Sequence, residues 1–195
     1  MLLQMESILK VRSALIAFGS NQSVKSLPPA AVLARALAAL HGDVTRLGAV
    51  SRFYRTPAFP AESGPEFVNG AARLETHLPA DGLLSRLHAI EADFGRSRDI
   101  RWGPRTLDLD LIALEEVIVP DPATVQGWID LPPADQAVAT PDRLLLPHPR
   151  LQDRAFVLIP LADIAVSWRH PLTGRTVSDM LAALPEAEKA EIRPF

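Results

Sequence analysis

Between residues 13 and 110 the apolar side chains switch between strand and helix spacing in the order strand, helix, strand, strand, helix, strand. That order constrains the fold more than any other property of the sequence. Residues 13–18 (Ser-Ala-Leu-Ile-Ala-Phe) form a short apolar run ended by Gly19-Ser20-Asn21, as in a buried strand that stops at a turn. Pro28-Pro29 opens an Ala-rich segment in which Leu33, Leu37 and Leu40 recur at helical spacing up to Gly42. Residues 44–54 read as one strand stopped by Pro57, and residues 60–65 as a loop. Residues 67–76 alternate, placing Val68, Ala72 and Leu74 on one face and Phe67 and Asn69 on the other. Pro79 and Asp81 open a second helix with the stripe Leu83, Leu87, Ile90 and Phe94, closed by Gly95, with His88 and Glu91 on its flank. A last strand carries Asp108 and Asp110. The order predicts an α+β fold with a ferredoxin-like βαββαβ core, an antiparallel sheet with helices on one face and the other face left for a ligand.

The rest of the chain reads as an addition to that core. Residues 115–143 show little periodicity and contain Pro120, Pro122, Pro132, Pro133 and Pro141, so they read as an extended excursion with a short strand at 117–119. Residues 144–150 and 156–164 are apolar runs around prolines, and Val177, Met180, Leu181 and Leu184 recur as in a packing helix. Residues 1–12 read as a loosely attached leader and residues 13–195 as a single domain with a C-terminal extension. A chain of 195 residues is long enough to bury roughly 70% of its unfolded surface. Its net charge of −3 argues against a general nucleic-acid or membrane surface. The absence of cysteine removes disulfides, thiol catalysis and thiolate metal sites. No stretch approaches the ~20 apolar residues of a membrane span, and residues 1–12 lack the features of a signal peptide. A cytoplasmic monomer acting on small molecules is expected, with self-association through the excursion left open.

The chemistry concentrates in Arg101-Trp102-Gly103-Pro104-Arg105-Thr106-Leu107-Asp108-Leu109-Asp110, where an Arg-rich loop runs into a strand. In an extended strand Asp108 and Asp110 project to one side and Leu107, Leu109 and Leu111 to the other. Two carboxylates facing one site repel unless a cation lies between them, and a few hard oxygen ligands suit Mg²⁺ shared with substrate phosphates. Asp-x-Asp by itself also marks ordinary solvated strands. Arg96, Arg98, Arg101 and Arg105 immediately upstream add guanidinium forks matched to phosphate oxygens, so the stretch reads as a polyphosphate clamp.

The sequence resembles the 6-hydroxymethyl-7,8-dihydropterin pyrophosphokinases of folate biosynthesis. The blocks that carry the resemblance are Ala17-Phe18-Gly19-Ser20-Asn21, Ser51-Arg52-Phe53-Tyr54-Arg55-Thr56-Pro57, Phe67-Val68-Asn69, Glu91 with Gly95-Arg96-Ser97-Arg98, residues 101–110, and Leu146-Pro147-His148-Pro149-Arg150 with Phe156. The resemblance implies transfer of a pyrophosphoryl group from ATP to the pterin hydroxymethyl, with AMP as the second product. It implies that Asp108 and Asp110 hold two Mg²⁺ ions and that Arg96 and Arg105 stabilise transition-state charge. Arg98, Arg101, His148 and Arg154 are implied to bind nucleotide phosphates or ribose, Glu91 to contact the nucleotide, Leu111 to line the adenine pocket, and Trp102 to close over the site or anchor the loop. Phe67 and Phe156 are implied to sandwich the pterin, with Asn69 reading its edge and Thr56 and Phe59 adding main-chain contacts. The sequence departs from the family at Gln22-Ser23, where a Leu-Gly pair is usual, at His88, where Gln is expected, and in the length of the excursion. An RNA-binding module on the same sheet, a Mg²⁺-dependent transferase with another acceptor, and a family member that binds without turnover are the competing readings.

Overall fold

The structure, a computed structural model, describes residues 10–58, 64–95 and 105–195. The expected core forms. Strand β1 (Arg12–Ser20) leads to helix α1 (Pro29–Leu40), then β2 (Thr45–Val50), β3 (Tyr54–Thr56), β4 (Phe67–Thr76), α2 (Ala80–Asp93) and β5 (Asp108–Leu114). All strand pairs are antiparallel, in the order β5-β1-β4-β3-β6, with β2 also on β4 and β6 (Arg193–Pro194) at the edge. Pro28 and Pro29 start α1 as the sequence indicated, because a proline in the first helical turn gives up no hydrogen bond. Gly95, with φ of +75°, follows the C-cap of α2 in the left-handed conformation that glycine adopts without strain.

Residues 44–54 differ from the single strand expected. They divide into β2, paired with residues 72–76 of β4, while β3 pairs with residues 67–69 of the same strand. Ser51 makes the break: its main-chain N–H donates to the Ala71 carbonyl at 2.9 Å, and its hydroxyl accepts from the Ala71 N–H at 2.9 Å. A side chain thus replaces a main-chain acceptor, and Arg52 and Phe53 step out of the ladder. The excursion also differs from an extended segment. It contains α3 (Pro122–Ile129) and α4 (Pro133–Val138). Asp121 caps α3 through the Thr124 N–H at 2.9 Å, and each helix begins on a proline, so the prolines are starts and not breaks.

Two cores lie on the two faces of the sheet. Ile16, Phe18, Leu74 and Leu109 pack with Leu33 and Leu37 of α1 and Leu83 and Leu87 of α2. On the other face Leu15, Ala17, Ala71 and Ile112 meet Val157, Leu158 and Leu161 of α5 (Ala155–Ala165) and Val177 and Met180 of α6 (Val177–Ala183). Residues 156–164, an apolar run in the sequence, are most of α5, with Pro160 inside it. The face expected to be left for a ligand is therefore covered along much of its length, and the ligand end is confined to the last residues of β1, the first of β4 and β5, and the start of α5. A short helix α7 (Glu186–Ala190) precedes β6. Among the described residues no helix is long and apolar enough to cross a membrane.

Candidate active site

Asp108 and Asp110 open β5 opposite Gly19 and Ala17 of β1, and Asn69 of β4 lies opposite Gly19 on the other side. Three strands thus deliver an amide and two carboxylates to one end of one sheet face. Phe156, in the first turn of α5, closes that end, and Ala17, Phe18, Gly19, Asn69, Asp108, Asp110 and Phe156 line a single small cleft. A larger cleft of about 680 Å³, at the opposite end of the same face beside Leu15, Arg73 and Trp168, contains none of these groups.

The close approach of β1 to Asn69 depends on Gly19. A Cβ at that position would overlap the Asn69 Oδ1, and it would lie 3.8 Å from the Phe67 ring. The Asn69 Nδ2 donates to the Thr56 hydroxyl at 2.7 Å, which fixes the plane of the amide. Thr56 is buried, whereas Phe67, Asn69 and Phe156 keep part of their surface open. Phe67 flanks Asn69 at the edge of the cleft and is not among its lining residues.

The end of β1 also positions the acidic strand. The Asn21 Oδ1 accepts from the Arg105 N–H at 2.8 Å, the Asn21 N–H donates to the Arg105 carbonyl at 3.1 Å, and the Ser20 hydroxyl donates to the Thr106 carbonyl at 2.7 Å. Gly19-Ser20-Asn21 is therefore a bracket that holds the approach to β5. Within it the Arg105 guanidinium pairs with the Asp108 carboxylate. Glu91, fully buried on α2, accepts from the Leu109 N–H at 2.7 Å and so fixes the outer edge of β5. Leu111 points into the helix-side core, away from Asp110.

A second group of cations approaches from the C-terminal side. The His148 N–H donates to the Ile112 carbonyl at 2.8 Å, which attaches residues 146–150 to the free edge of β5. The His148 Nδ1 accepts from the Arg150 N–H at 3.1 Å, so Nε2 carries the proton. Burial, reinforced by Arg154 and Arg150 and opposed by Asp108, pushes the His148 pKa down to about 3, so the ring is a neutral donor at pH 7. Burial lowers the Arg154 pKa; Asp110 and Asp108 oppose this, while Arg150 and Arg105 add to it. Arg105 and Arg154 thus act on the two carboxylates, while Arg150, paired with Asp153 at 3.0 Å, stands beside Arg154 and His148. The guanidinium of Arg154 lies 5.6 Å from the centre of the Phe156 ring, and the positive end of α5 adds to the same field.

Of the residues the sequence singled out, the structure brings together Asn69, Asp108, Asp110 and Phe156 in the cleft. Thr56, Phe67, Glu91, Arg105, His148 and Arg154 stand around it. Phe59, Arg96, Arg98, Arg101 and Trp102 lie outside the described residues. Arg150 joins the cation group without having been singled out, although it closes the Leu-Pro-His-Pro-Arg block. Ser20 and Asn21 stood in the sequence as a turn and as part of the Ala-Phe-Gly-Ser-Asn block, without a role of their own; their bracketing role arises from residues 84 to 86 positions away.

An open sheet end with two carboxylates, arginines beside them, a fixed amide and an aromatic ring defines an α+β protein whose cleft has the chemistry to accept a phosphorylated ligand next to a flat polar one. Comparison with known proteins makes the assignment specific. Residues 15–166 match the family model of 7,8-dihydro-6-hydroxymethylpterin-pyrophosphokinase (HPPK), and the chain belongs to that family. A 2-amino-4-hydroxy-6-hydroxymethyldihydropteridine pyrophosphokinase of Pseudomonas aeruginosa is 46% identical over 142 residues, covering 72% of this chain and 74% of the relative. One from Methylorubrum extorquens is 38% identical over 174 residues, covering 88% and 92%. The fold is shared with crystal structures of Plasmodium falciparum HPPK-DHPS, with a TM-score of 0.64 at 12% identity over 89% of this chain. This chain spans only 45% of that longer one.

Proposed function

We propose that this chain carries out the reaction its family is named for, moving the pyrophosphoryl group of ATP onto the hydroxymethyl oxygen of 6-hydroxymethyl-7,8-dihydropterin and releasing AMP. The observation that carries this reading is the meeting of Asp108 and Asp110 with Asn69 and Phe156 in one cleft. The first pair suits a metal-bound polyphosphate, the second a flat heterocycle with a hydrogen-bonding edge. In the reaction the pterin oxygen forms a bond to the β-phosphorus of ATP, the bond from that phosphorus to the α,β-bridging oxygen breaks, and the hydroxyl proton is lost.

Mg²⁺ fits the donors that are present. Among the described residues no set of three or more His, Cys, Asp or Glu converges as a self-sufficient metal cage. Two carboxylates with room for phosphate oxygens and water are what Mg²⁺ accepts, since it keeps several waters and binds through few protein ligands. Asp108 and Asp110 would hold two such ions, which supply charge neutralisation on the phosphates when bound. Arg105 neutralises Asp108 in the free site and exchanges that carboxylate for a phosphate when substrate arrives. Arg154 and the neutral Nε2–H of His148 donate to the nucleotide. Arg96, Arg98, Arg101 and Trp102 are assigned to the same nucleotide, and Phe59 to the pterin, by their place in the sequence. Glu91 holds the outer edge of β5, where Leu111 meets the adenine through its main chain, its side chain being committed to the core. The pterin stacks between Phe67 and Phe156 and is read by the Asn69 amide that Thr56 orients.

The test is incubation of the purified protein with ATP, Mg²⁺ and the pterin, followed by separation of the nucleotides. AMP formed only in the presence of the pterin is the expected result. ADP as the product, or binding of both substrates without turnover, would overturn the reading.

A further inference from the structure

Two residues of the Ser-Arg-Phe-Tyr-Arg-Thr-Pro block do not touch the cleft and yet converge on one carboxylate, that of Asp163 near the C-terminal end of α5. The Arg52 N–H and Nε donate to the Asp163 Oδ2, each at 3.1 Å, and the Arg52 Nη2 donates to Oδ1 at 2.7 Å. The Tyr54 hydroxyl donates to Oδ2 at 2.8 Å. Tyr54 is almost fully buried, and the Arg52 guanidinium lies 5.4 Å from the centre of its ring. The Arg52 side chain is 67% exposed, so its pair with Asp163 lies at the surface, but the fork geometry and the two further donors on Oδ2, the Tyr54 hydroxyl and the Arg52 main-chain N–H, make it more directional than an ordinary surface ion pair.

The consequence lies in the spacing. Asp163 follows Phe156 by seven residues, two helical turns, so the two side chains leave α5 from the same face. Tyr54 precedes Thr56 by two residues on β3 and pairs with Asn69 on β4, so Tyr54, Thr56 and Asn69 share one sheet face. The helix face that holds the clamp is thus also the face that presents the ring, and the strands that receive the clamp present the amide. Val157, Leu158 and Leu161 press α5 against the sheet and set its rotation to within the width of that apolar stripe, and the directional bonds to Asp163 narrow it further. A rotation that breaks the Asp163 clamp also swings Phe156 away from Asn69.

We propose that Asp163, held by Arg52 and Tyr54, is a positioning residue that sets the rotation of α5 and thereby the width of the slot in which the pterin stacks. The inference rests on the assignment of Phe156 and Asn69 to the pterin. The nucleotide side depends on β5 and on residues 146–154, of which only Arg154, the N-cap of α5, adjoins the helix, so the effect falls chiefly on the pterin.

Steady-state KM values for the pterin and for ATP, measured on Asp163→Ala, Arg52→Ala, the double variant, Tyr54→Phe and Phe156→Ala, with a thermal melt of each, test this. Asp163→Ala and Arg52→Ala are expected to raise the pterin KM about tenfold, because a displacement of about 1 Å at a positioned group costs that much or more, and to leave the ATP KM within about twofold. The double variant matches the singles, because each removes the same clamp. Tyr54→Phe, which deletes only a hydroxyl and keeps the buried ring, moves the pterin KM in the same direction by less and remains informative if Asp163→Ala folds poorly. Asp163→Glu, with the fork partner kept, restores most of the pterin affinity. An unchanged pterin KM in the clamp variants alongside a raised one in Phe156→Ala would overturn the positioning role alone. Equal rises for both substrates, tracking the loss of melting temperature, would overturn it in favour of a merely structural contact. No rise in Phe156→Ala would overturn the pterin-slot reading itself, and the positioning role with it.

Discussion

At the scale of single residues the site depends on groups whose positions leave no freedom. Gly19 has no space for a Cβ because the Asn69 Oδ1 occupies it, and the same amide is held by Thr56. Gly19→Ala is therefore expected to displace the amide and raise the pterin KM by about tenfold, the cost of one hydrogen bond lost from a half-buried reader. ATP binding should change little, and a titration of each ligand separately decides it. Asp110→Ala removes one of the two carboxylates and should lower kcat by a factor on the order of 10³ with the fold intact. Near-normal turnover in a steady-state assay would remove Asp110 from the metal site. The carboxylate pair Asp108 and Asp110, and Asn69 beside Phe67, were legible in the sequence because strand alternation alone puts each pair on one face. The bracket by Ser20 and Asn21 and the clamp on Asp163 were not, since each joins residues about 85 to 111 positions apart and has no local signature.

At the scale of elements, the parts that sequence reading placed well are those governed by local rules. The stripe of α2, the proline start of α1 and the alternation of β4 follow from periodicity and capping. The division of β2 from β3 followed instead from a side-chain acceptor on Ser51, and the helices of the excursion from Asp121-Pro122 and Pro132-Pro133, where prolines that looked like breaks are first-turn residues. Helix α6 depends on its cap. The Thr176 hydroxyl accepts from the Asp179 N–H at 3.0 Å, and the Asp179 carboxylate accepts from the Thr176 N–H at 2.9 Å, while Val177 and Met180 fill the second core. Thr176→Ala should lower stability by about 1 kcal/mol, the usual cost of an N-cap, and leave both KM values nearly unchanged, because α6 reaches the site only indirectly, through α5 and the turn at Leu151–Asp153. Urea unfolding with kinetics at a temperature well below the transition separates the two effects. A change in the pterin KM would mean that α6 takes part in positioning α5.

At the scale of the whole molecule, the sheet is sandwiched. Helices α1 and α2 close one face, and α5 and α6 close most of the other, so the broad open face that single-stranded RNA recognition requires is absent from the described fold and only the cleft end remains. The second layer brings a buried titratable group with it. His170, fully buried next to Trp168, accepts at Nδ1 from the Leu172 and Thr173 N–H groups at 3.2 and 3.3 Å, and burial pushes its pKa down to about 4. Its unfolded value is near 6.5, so between pH 6.5 and 4 the unfolded chain binds a proton here that the folded chain does not. Stability should therefore fall as the pH drops through that window, by roughly 2 kcal/mol from this residue at pH 5, and level off below about 4. His148 acts in the same direction, over a window reaching down to about 3. His170→Asn keeps an acceptor near the Nδ1 position and removes the titration, so the difference between wild type and variant isolates this one group. Urea unfolding of both at pH 7 and pH 5 should show the variant losing about one proton's worth of pH slope. Parallel slopes would mean that His170 is not held neutral in the fold, and that the acid sensitivity arises at the His148 end of the molecule.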